Sequence, residues 1–373
     1  MQRYRPTWAE VNLGNIAYNV KGFRKHIPGT TRLMAVVKAD GYGHGATEVA
    51  RAALAAGADW LAVALVEEGI RLRQAGLAAP ILILGYLPPE SLPAVIQYRL
   101  TPGITDIVTL MLLEDEARRQ RRKVGIHLKV DTGMGRLGPR GTDSMDLVSR
   151  VLASSHLELD GVFTHFATAD EADKSFTSAQ LDKFISIVET IKREKPQAIA
   201  HCANSAAAIE IPEAYFDMVR IGISLYGLYP SNQVKKLVPL KPAMSLHTTI
   251  AFVKDVPAGT AISYGRTFVT TRPSRIATLP LGYADGYLRT LSGKADFLIQ
   301  GQRVSQVGRI CMDYCMADIT DLPEAGVGEP VVVFGSQGQE HISADELAML
   351  TGTISYEILC AVSARVPRYY QQA

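Results

Sequence analysis

Ala35-Val36-Val37-Lys38-Ala39-Asp40-Gly41-Tyr42-Gly43-His44-Gly45 ends an apolar run with a lysine and follows it at once with a glycine-rich turn. Residues 33–37 read as a fully buried parallel strand, and the Ala-rich stretch from Ala46 onward reads as the helix behind it. An ammonium group at the mouth of such a strand lies in a low-dielectric pocket, which lowers its pKa and frees its lone pair to attack a carbonyl. That is what a Schiff-base lysine requires. Lys38 is equally compatible with a strand-end side chain that snorkels to solvent, so the rest of the chain has to decide.

Outward from that strand, short apolar runs recur at 33–38, 60–65, 81–85, 100–104, 125–131, 161–165, 199–204 and 218–223, separated by stretches of helical period. The fourth, Leu100-Thr-Pro-Gly-Ile, is short and contains a proline. Strand and helix in alternation imply parallel strands joined by right-handed crossovers, and eight such units imply an α/β fold of the (β/α)8 TIM-barrel type. Pro230, Pro239 and Pro242 then punctuate the chain, and from Met244 short alternating strands with turn signals take over. The expected organisation is a barrel over 13–238 and a second, C-terminal all-β domain over 239–373, joined by the alternating segment 7–11 within residues 1–12. Strands in that domain are expected at 245–253, 275–281, 295–299, 302–307 and 330–334.

Composition fits a globular chain of this size: 373 residues, 47% hydrophobic and 20% charged. A formal net charge of +2 carries no footprint of nucleic acid or of an anionic membrane surface. The one basic run, Arg118-Arg119-Gln120-Arg121-Arg122-Lys123, follows Glu114-Asp115-Glu116, so Glu114–Arg118 and Asp115–Arg119 pairs on a solvated helix face are expected. No segment reaches the roughly eighteen uninterrupted apolar residues that a membrane span needs, and a cytosolic location is expected. Cys202, Cys311, Cys315 and Cys360 form no paired framework and read as reduced thiols, and no ligand spacing suggests a metal.

Catalytic groups of a barrel project from the C-terminal ends of its strands. Lys38 ends the first run, Lys129 and Asp131 the fifth, His165 the sixth and Asn204-Ser205 the seventh, and Arg220 lies in the eighth just ahead of Gly222. Loops after the seventh and eighth strands commonly hold a phosphate, a position that Ser205 and Gly222-Ile223 supply.

Further motifs follow in order: Lys129-Val-Asp-Thr-Gly-Met-Gly-Arg136-Leu-Gly, His201-Cys-Ala-Asn-Ser205, Val219-Arg220-Ile-Gly222, Ser263-Tyr264-Gly-Arg-Thr, Gly308-Arg-Ile-Cys-Met312-Asp313 and Ile354-Ser-Tyr356-Glu. With the lysine motif they cover almost the whole chain, which resembles the bacterial alanine racemases, pyridoxal-phosphate enzymes with a barrel and a C-terminal β domain. The resemblance implies that Lys38 holds the cofactor as a Schiff base and then acts as the base on one face of the substrate, with Tyr264 as the second base. Two are needed because a proton taken from one side of a planar carbon must return to the other. Arg220 would face the pyridine nitrogen and, being a permanent donor, leave it unprotonated. Tyr42, Ser205, Gly222, Ile223 and Tyr356 resemble the phosphate-binding set, with His165 and Asn204 also at the cofactor, and Tyr356 would narrow the pocket toward alanine. Arg136 resembles the group that takes the substrate carboxylate.

Lys129 matches a lysine that some members carry as a carbamate, although an ordinary ion pair serves equally. His201 reads as a neighbour of Arg220 or as a core histidine. Met312 and Asp313, with Tyr264, match residues that enter the active site from the other subunit, so a homodimer with composite sites is implied. After Asp313 the chain departs from the commonest family pattern, with Tyr314-Cys315 in place of a glutamine-containing pair. The competing readings are a racemase of serine or a larger amino acid, a barrel decarboxylase, for which an acidic residue would replace Arg220, and a non-catalytic cofactor-binding barrel.

Overall fold

A computed structural model describes residues 5–372. The chain folds as two compact units, one of Gly14–Gly41 and Gly45–Pro242, the other of residues 5–13, Tyr42–His44 and 243–372.

The first unit is built on an eight-stranded parallel sheet. Its strands, in chain order, are Arg32–Val36, Trp60–Val63, Ile81–Ile83, Thr101–Ile104, Val124–Lys129, Leu157–Phe163, Ile199–His201 and Met218–Ile221. Each pairs with the next up to the seventh, and the eighth pairs with the first, with Met34 opposite Arg220 and Ala35 opposite Ile221. Single backbone bonds from Asp217 N to Ala200 O (3.1 Å) and Arg220 N to Ala203 O (3.0 Å) bridge the seventh and eighth, which closes the barrel. The fourth strand forms despite Pro102. Leu33, Leu61, Ile81, Ile126 and Val219 are fully buried, as strands covered on both faces require.

Helices lie between the strands, and the helix Ile107–Arg119 shows why they start where they do: Asp106 caps it by accepting from Thr109 N at 2.8 Å. Its basic end is tied differently from expectation. Asp115 pairs with Arg118 and Glu116 with Arg119, one residue closer than the anticipated spacing, because Glu114 turns aside toward Arg150 at 3.4 Å.

The second unit carries a ten-stranded sheet that is antiparallel except at one edge, where Thr7–Asn12 runs parallel to Arg368–Gln371. Thr7–Asn12 also pairs antiparallel with Met244–Thr249, so the opening segment joins this sheet, burying Thr7, Ala9 and Val11. The run expected over 245–253 divides into Met244–Thr249 and Phe252–Val256, and the remaining expected strands appear as Ser274–Leu279, Asp296–Ile299, Gln302–Val307 and Pro330–Gln337. Two helices, Ala344–Thr351 and Ser355–Ala361, complete the unit. Among the described residues no helix is long and apolar enough to cross a membrane.

Candidate active site

Lys38 stands just past the first barrel strand, half-buried, and opens a left-handed turn: Ala39, Asp40 and Gly41 lie at φ 51°, 51° and 63°. Successive left-handed residues are costly for L-amino acids, and the surroundings must impose them. Asp40 does so locally, accepting from Ala46 N (3.0 Å) and Gly45 N (2.8 Å). Glu68 accepts from Ala39 N at 2.6 Å and from Ala64 N at 2.8 Å, which ties together the loops after the first and second strands. The lysine is thus set on a rigid corner beside the eighth strand.

Arg220, on that eighth strand, is 4% exposed. Its Nη1 donates to His201 Nδ1 and to His201 O, both at 3.0 Å. Its Nη2 donates to Thr164 O (2.9 Å), Cys202 O (3.1 Å) and His165 Nδ1 (3.2 Å). Burial lowers the guanidinium to about 10, so it stays charged at neutral pH. Because it is donor-only, both imidazoles must offer it a lone pair. Burial and then the Arg220 charge accordingly hold His165 and His201 well below the ordinary histidine range. Among the described residues nothing accepts from Arg220 Nε, the one N–H left over.

Lys129 closes the fifth strand with its Nζ 5.1 Å from the Phe163 ring centroid. Burial first, then Arg220 and Arg136, lower its ammonium to about 7. Among the described residues no carboxylate lies within ion-pair distance of it, and the neighbouring Asp131 pairs with Arg140 at 2.8 Å. Arg136 is exposed in the loop that follows, and Asp131 organises that loop. Its carboxylate accepts from Gly133 N (2.9 Å), Gly135 N (3.1 Å) and Arg140 Nε (2.8 Å), and these bonds outweigh burial and hold it below the usual range.

After the seventh and eighth strands, Gly222 N (2.9 Å) and Ser224 N (3.5 Å) both point at Ser205 Oγ. Two backbone donors and a hydroxyl therefore converge beside Ile223. Asn204 caps the short helix behind them through Oδ1, which accepts from Ala207 N at 3.1 Å.

In the second unit, the Tyr42 and Tyr356 rings stand 6.0 Å apart, and burial raises the Tyr42 phenol above its ordinary value. Tyr264 follows Ser263, which sits at φ 66°, and its side chain is 69% exposed. Ser263 Oγ donates to Arg309 O at 2.6 Å and lies 3.5 Å from Cys311 Sγ, joining the Tyr264 turn to the segment that carries Met312 and Asp313. Asp313 is held by Arg365 Nη2 at 2.7 Å, and the fully buried Asp285, paired to Arg5, lies 3.7 Å from Arg365 Nε. Cys315 points into the domain interior, so of the divergent Tyr314-Cys315 pair only Tyr314 reaches the surface.

The first unit thus gathers Lys38, Lys129, Arg136, His165, Asn204, Ser205, Arg220, Gly222 and Ile223 at the C-terminal end of one barrel, while Tyr42, Tyr356, Tyr264, Met312 and Asp313 belong to the second unit. A lysine on a rigid corner, convergent N–H donors and a buried guanidinium with Nε–H to spare fit pyridoxal phosphate, whose aldehyde, phosphate and ring nitrogen need those three groups. The buried cations Lys129 and Arg220 also suit an anionic ligand. Sequence reasoning missed His127, Asp285 and Arg365; the first shares a strand face with Lys129 two residues on, a period-two signal that marks it as inward-facing.

Residues 11–230 match the family described as "Alanine racemase, N-terminal domain", and residues 243–370 match "Alanine racemase, C-terminal domain". The chain belongs to the alanine racemase family. "Alanine racemase 2" of Oceanobacillus iheyensis is 45% identical over 369 residues, covering 99% of this chain and 94% of that protein. The alanine racemase of Clostridium difficile 630 superposes with a TM-score of 0.95 at 39% identity, covering 100% of this chain and 97% of that one. That of Bacillus anthracis with bound L-Ala-P gives 0.91 at 39% identity, covering 100% and 96%. The alanine racemase family uses pyridoxal phosphate.

Proposed function

We propose that this chain interconverts L- and D-alanine with pyridoxal phosphate, using Lys38 as the base on one face of the substrate and Tyr264 of a second copy on the other, and so supplies D-alanine for cytoplasmic synthesis of peptidoglycan precursors. The observation that carries the reading is Arg220: buried, charged, tied down by five contacts and with one donor remaining. Bound pyridoxal phosphate supplies the sink for the electron pair left when the substrate's Cα–H bond is broken. Arg220 offers that ring's nitrogen a hydrogen bond but no transferable proton, which keeps the sink weak and favours return of the proton to Cα over loss of the amino group. A carboxylate in its place would mark a barrel decarboxylase.

Lys38 takes or returns the Cα proton on its face, and the Tyr264 phenol does so on the opposite face. Arg136 orients the substrate carboxylate, for which a guanidinium fork is well shaped. Ser205, Gly222 and Ile223, with Tyr42 and Tyr356, hold the phosphate, and Tyr356 limits the substrate side chain to a methyl group. His165 and Asn204 border the same cofactor. Met312 and Asp313 shape the substrate entrance from the partner copy. Lys129, its ammonium lowered by burial and then by Arg220 and Arg136, presents a neutral amine that adds to carbon dioxide: the N–C bond forms as a C=O π bond opens, the N–H proton leaves and a carbamate anion faces Arg136.

The test is circular dichroism of L-alanine, with L-serine and L-lysine in parallel, incubated with protein and added pyridoxal phosphate. The expected outcome is decay of the alanine signal to zero at constant amino-acid concentration, faster than for the other two. A faster decay of serine would reassign the substrate, and loss of amino acid as carbon dioxide would establish a decarboxylase.

A further inference from the structure

Behind Arg220 the barrel holds a row of hydrogen bonds that extends beyond any group assigned above. Arg220 Nη1 donates to His201 Nδ1 at 3.0 Å, and His201 Nε2 meets His127 Nδ1 at 2.8 Å. Since a guanidinium cannot accept, His201 Nδ1 must present its lone pair and the ring's proton must sit on Nε2. His201 then donates to His127 Nδ1, so the His127 proton is also on Nε2. Each ring is neutral, and adding a proton to either Nδ1 would set N–H against N–H. The charges facing the pair act the same way: Arg220 and Arg32 oppose a proton on His127, and Arg220 and Lys129 oppose one on His201.

Three features make room for His127. The ladder between Val124–Lys129 and Leu157–Phe163 slips at this residue, with Ile126 opposite Leu159 but His127 opposite Gly161, leaving Asp160 as the extra residue of a bulge. Bulges re-aim side chains and are rare between parallel strands. A Cβ on Gly161 would lie 2.6 Å from His127 Cε1 and 2.7 Å from its Nδ1, so any side chain there would displace the imidazole. The Trp60 ring covers it at a centroid distance of 5.2 Å. Yet the fully buried Nε2, which carries the proton, has no hydrogen-bond partner among the described residues. A buried donor left unsatisfied is unfavourable, and a phenylalanine would fill the space without that cost. The imidazole is needed for its acceptor.

We propose that His127 is a positioning residue: by accepting from His201 Nε2–H it holds the His201 ring in place against Arg220, and so sets the guanidinium that meets the cofactor. The hydrogen-bond row stands on geometry alone, whereas its effect on the cofactor rests on the role proposed for Arg220.

The test is ring-nitrogen NMR of the full-length holoenzyme labelled with 15N-histidine, read together with the pH dependence of the bound cofactor's absorbance. In the wild type both rings should be neutral Nε2–H tautomers that do not titrate between pH 6 and 9. His127→Phe should leave His201 in the Nε2–H tautomer that Arg220 imposes but shift its Nε2 resonance as the bond to His127 is lost, introduce a titration into the absorbance and lower kcat about tenfold with little change in KM, as for one lost hydrogen bond. His127→Gln, which retains an acceptor, should restore all three. A titrating or Nδ1–H His127 in the wild type, or a His201 Nε2 resonance indifferent to His127→Phe, would overturn the row itself. A His201 Nε2 resonance that responds while absorbance and kcat do not would leave the row standing, refute the reading of Arg220 and remove the positioning role with it.

Discussion

Burial and the two nearby arginines lower the Lys129 ammonium from 10.5 to about 7. Between those values the unfolded chain still binds a proton that the folded one has released, so this group makes stability rise with pH across that window; below pH 7 the full penalty of a buried cation is present. Lys129→Met keeps the length and removes the charge. It is expected to exceed the wild type in stability by roughly 2–4 kcal/mol at pH 6, with the difference closing by pH 10, as measured by urea unfolding in carbon-dioxide-free buffer. An equal difference at both pH values would assign the effect to packing. Tyr264 carries the complementary lesson, because a phenol 69% exposed contributes little to its own domain's core. Tyr264→Phe should therefore fold normally and lose kcat/KM equally in both directions, as an equilibrium constant of one requires, with the loss falling mainly on proton abstraction from one enantiomer. With Cα-deuterated L- and D-alanine, the isotope effect is expected to rise for one enantiomer only, and equal effects unchanged from the wild type would exclude a second base.

Among elements, the loop between the fifth strand and the helix Thr142–Ala153 shows most directly how structure serves a site. Asp131 collects Gly133 N, Gly135 N and Arg140 Nε on one carboxylate, and the exposed Arg136 owes its placement to that frame. Asp131→Asn loses the charge and one acceptor, so KM for alanine is expected to rise about tenfold while kcat holds, for a net loss near one hydrogen bond. A fall in kcat at constant KM would place Asp131 in the chemistry instead. The barrel's strands were legible because parallel strands covered on both faces leave continuous apolar runs such as 33–37, and the polar residues at their ends marked the site by position. The helix Ala344–Thr351 was missed although its Ser343-x-x-Glu346 start, in which Ser343 Oγ accepts from Glu346 N at 3.0 Å, is a capping signature open to reading. The left-handed turn after Lys38 and the bulge at His127 were not legible in the same way. Ala39 and Asp40 take positive φ because Glu68 and Asp40 hold the turn, and the register slip at His127 depends on a glycine thirty-four positions on, so neither is written in local propensity.

For the whole molecule the decisive question is which chain supplies Tyr264 to which Lys38. Tyr264, Met312 and Tyr314 are substantially exposed on the second unit, at 69%, 53% and 50%, and the proposed function sets Tyr264 and Met312 against a second copy. If two copies exchange these residues head to tail, each active site takes Lys38 from one protomer and Tyr264 from its partner. Two inactive variants can then repair each other. Lys38→Ala protein lacks the lysine but still lends Tyr264, and Tyr264→Phe protein lacks the phenol but keeps Lys38, so a mixed dimer has one intact site and one doubly defective site. Random exchange of equal amounts makes half the dimers mixed, and activity should recover to about one quarter of wild type, from near zero for Lys38→Ala alone and a low residual for Tyr264→Phe alone. Recovery should appear only after subunits are allowed to exchange, by dilution or mild denaturant and reassociation. If both residues acted within one chain, every site would lack one of them, and no mixing or exchange would restore activity.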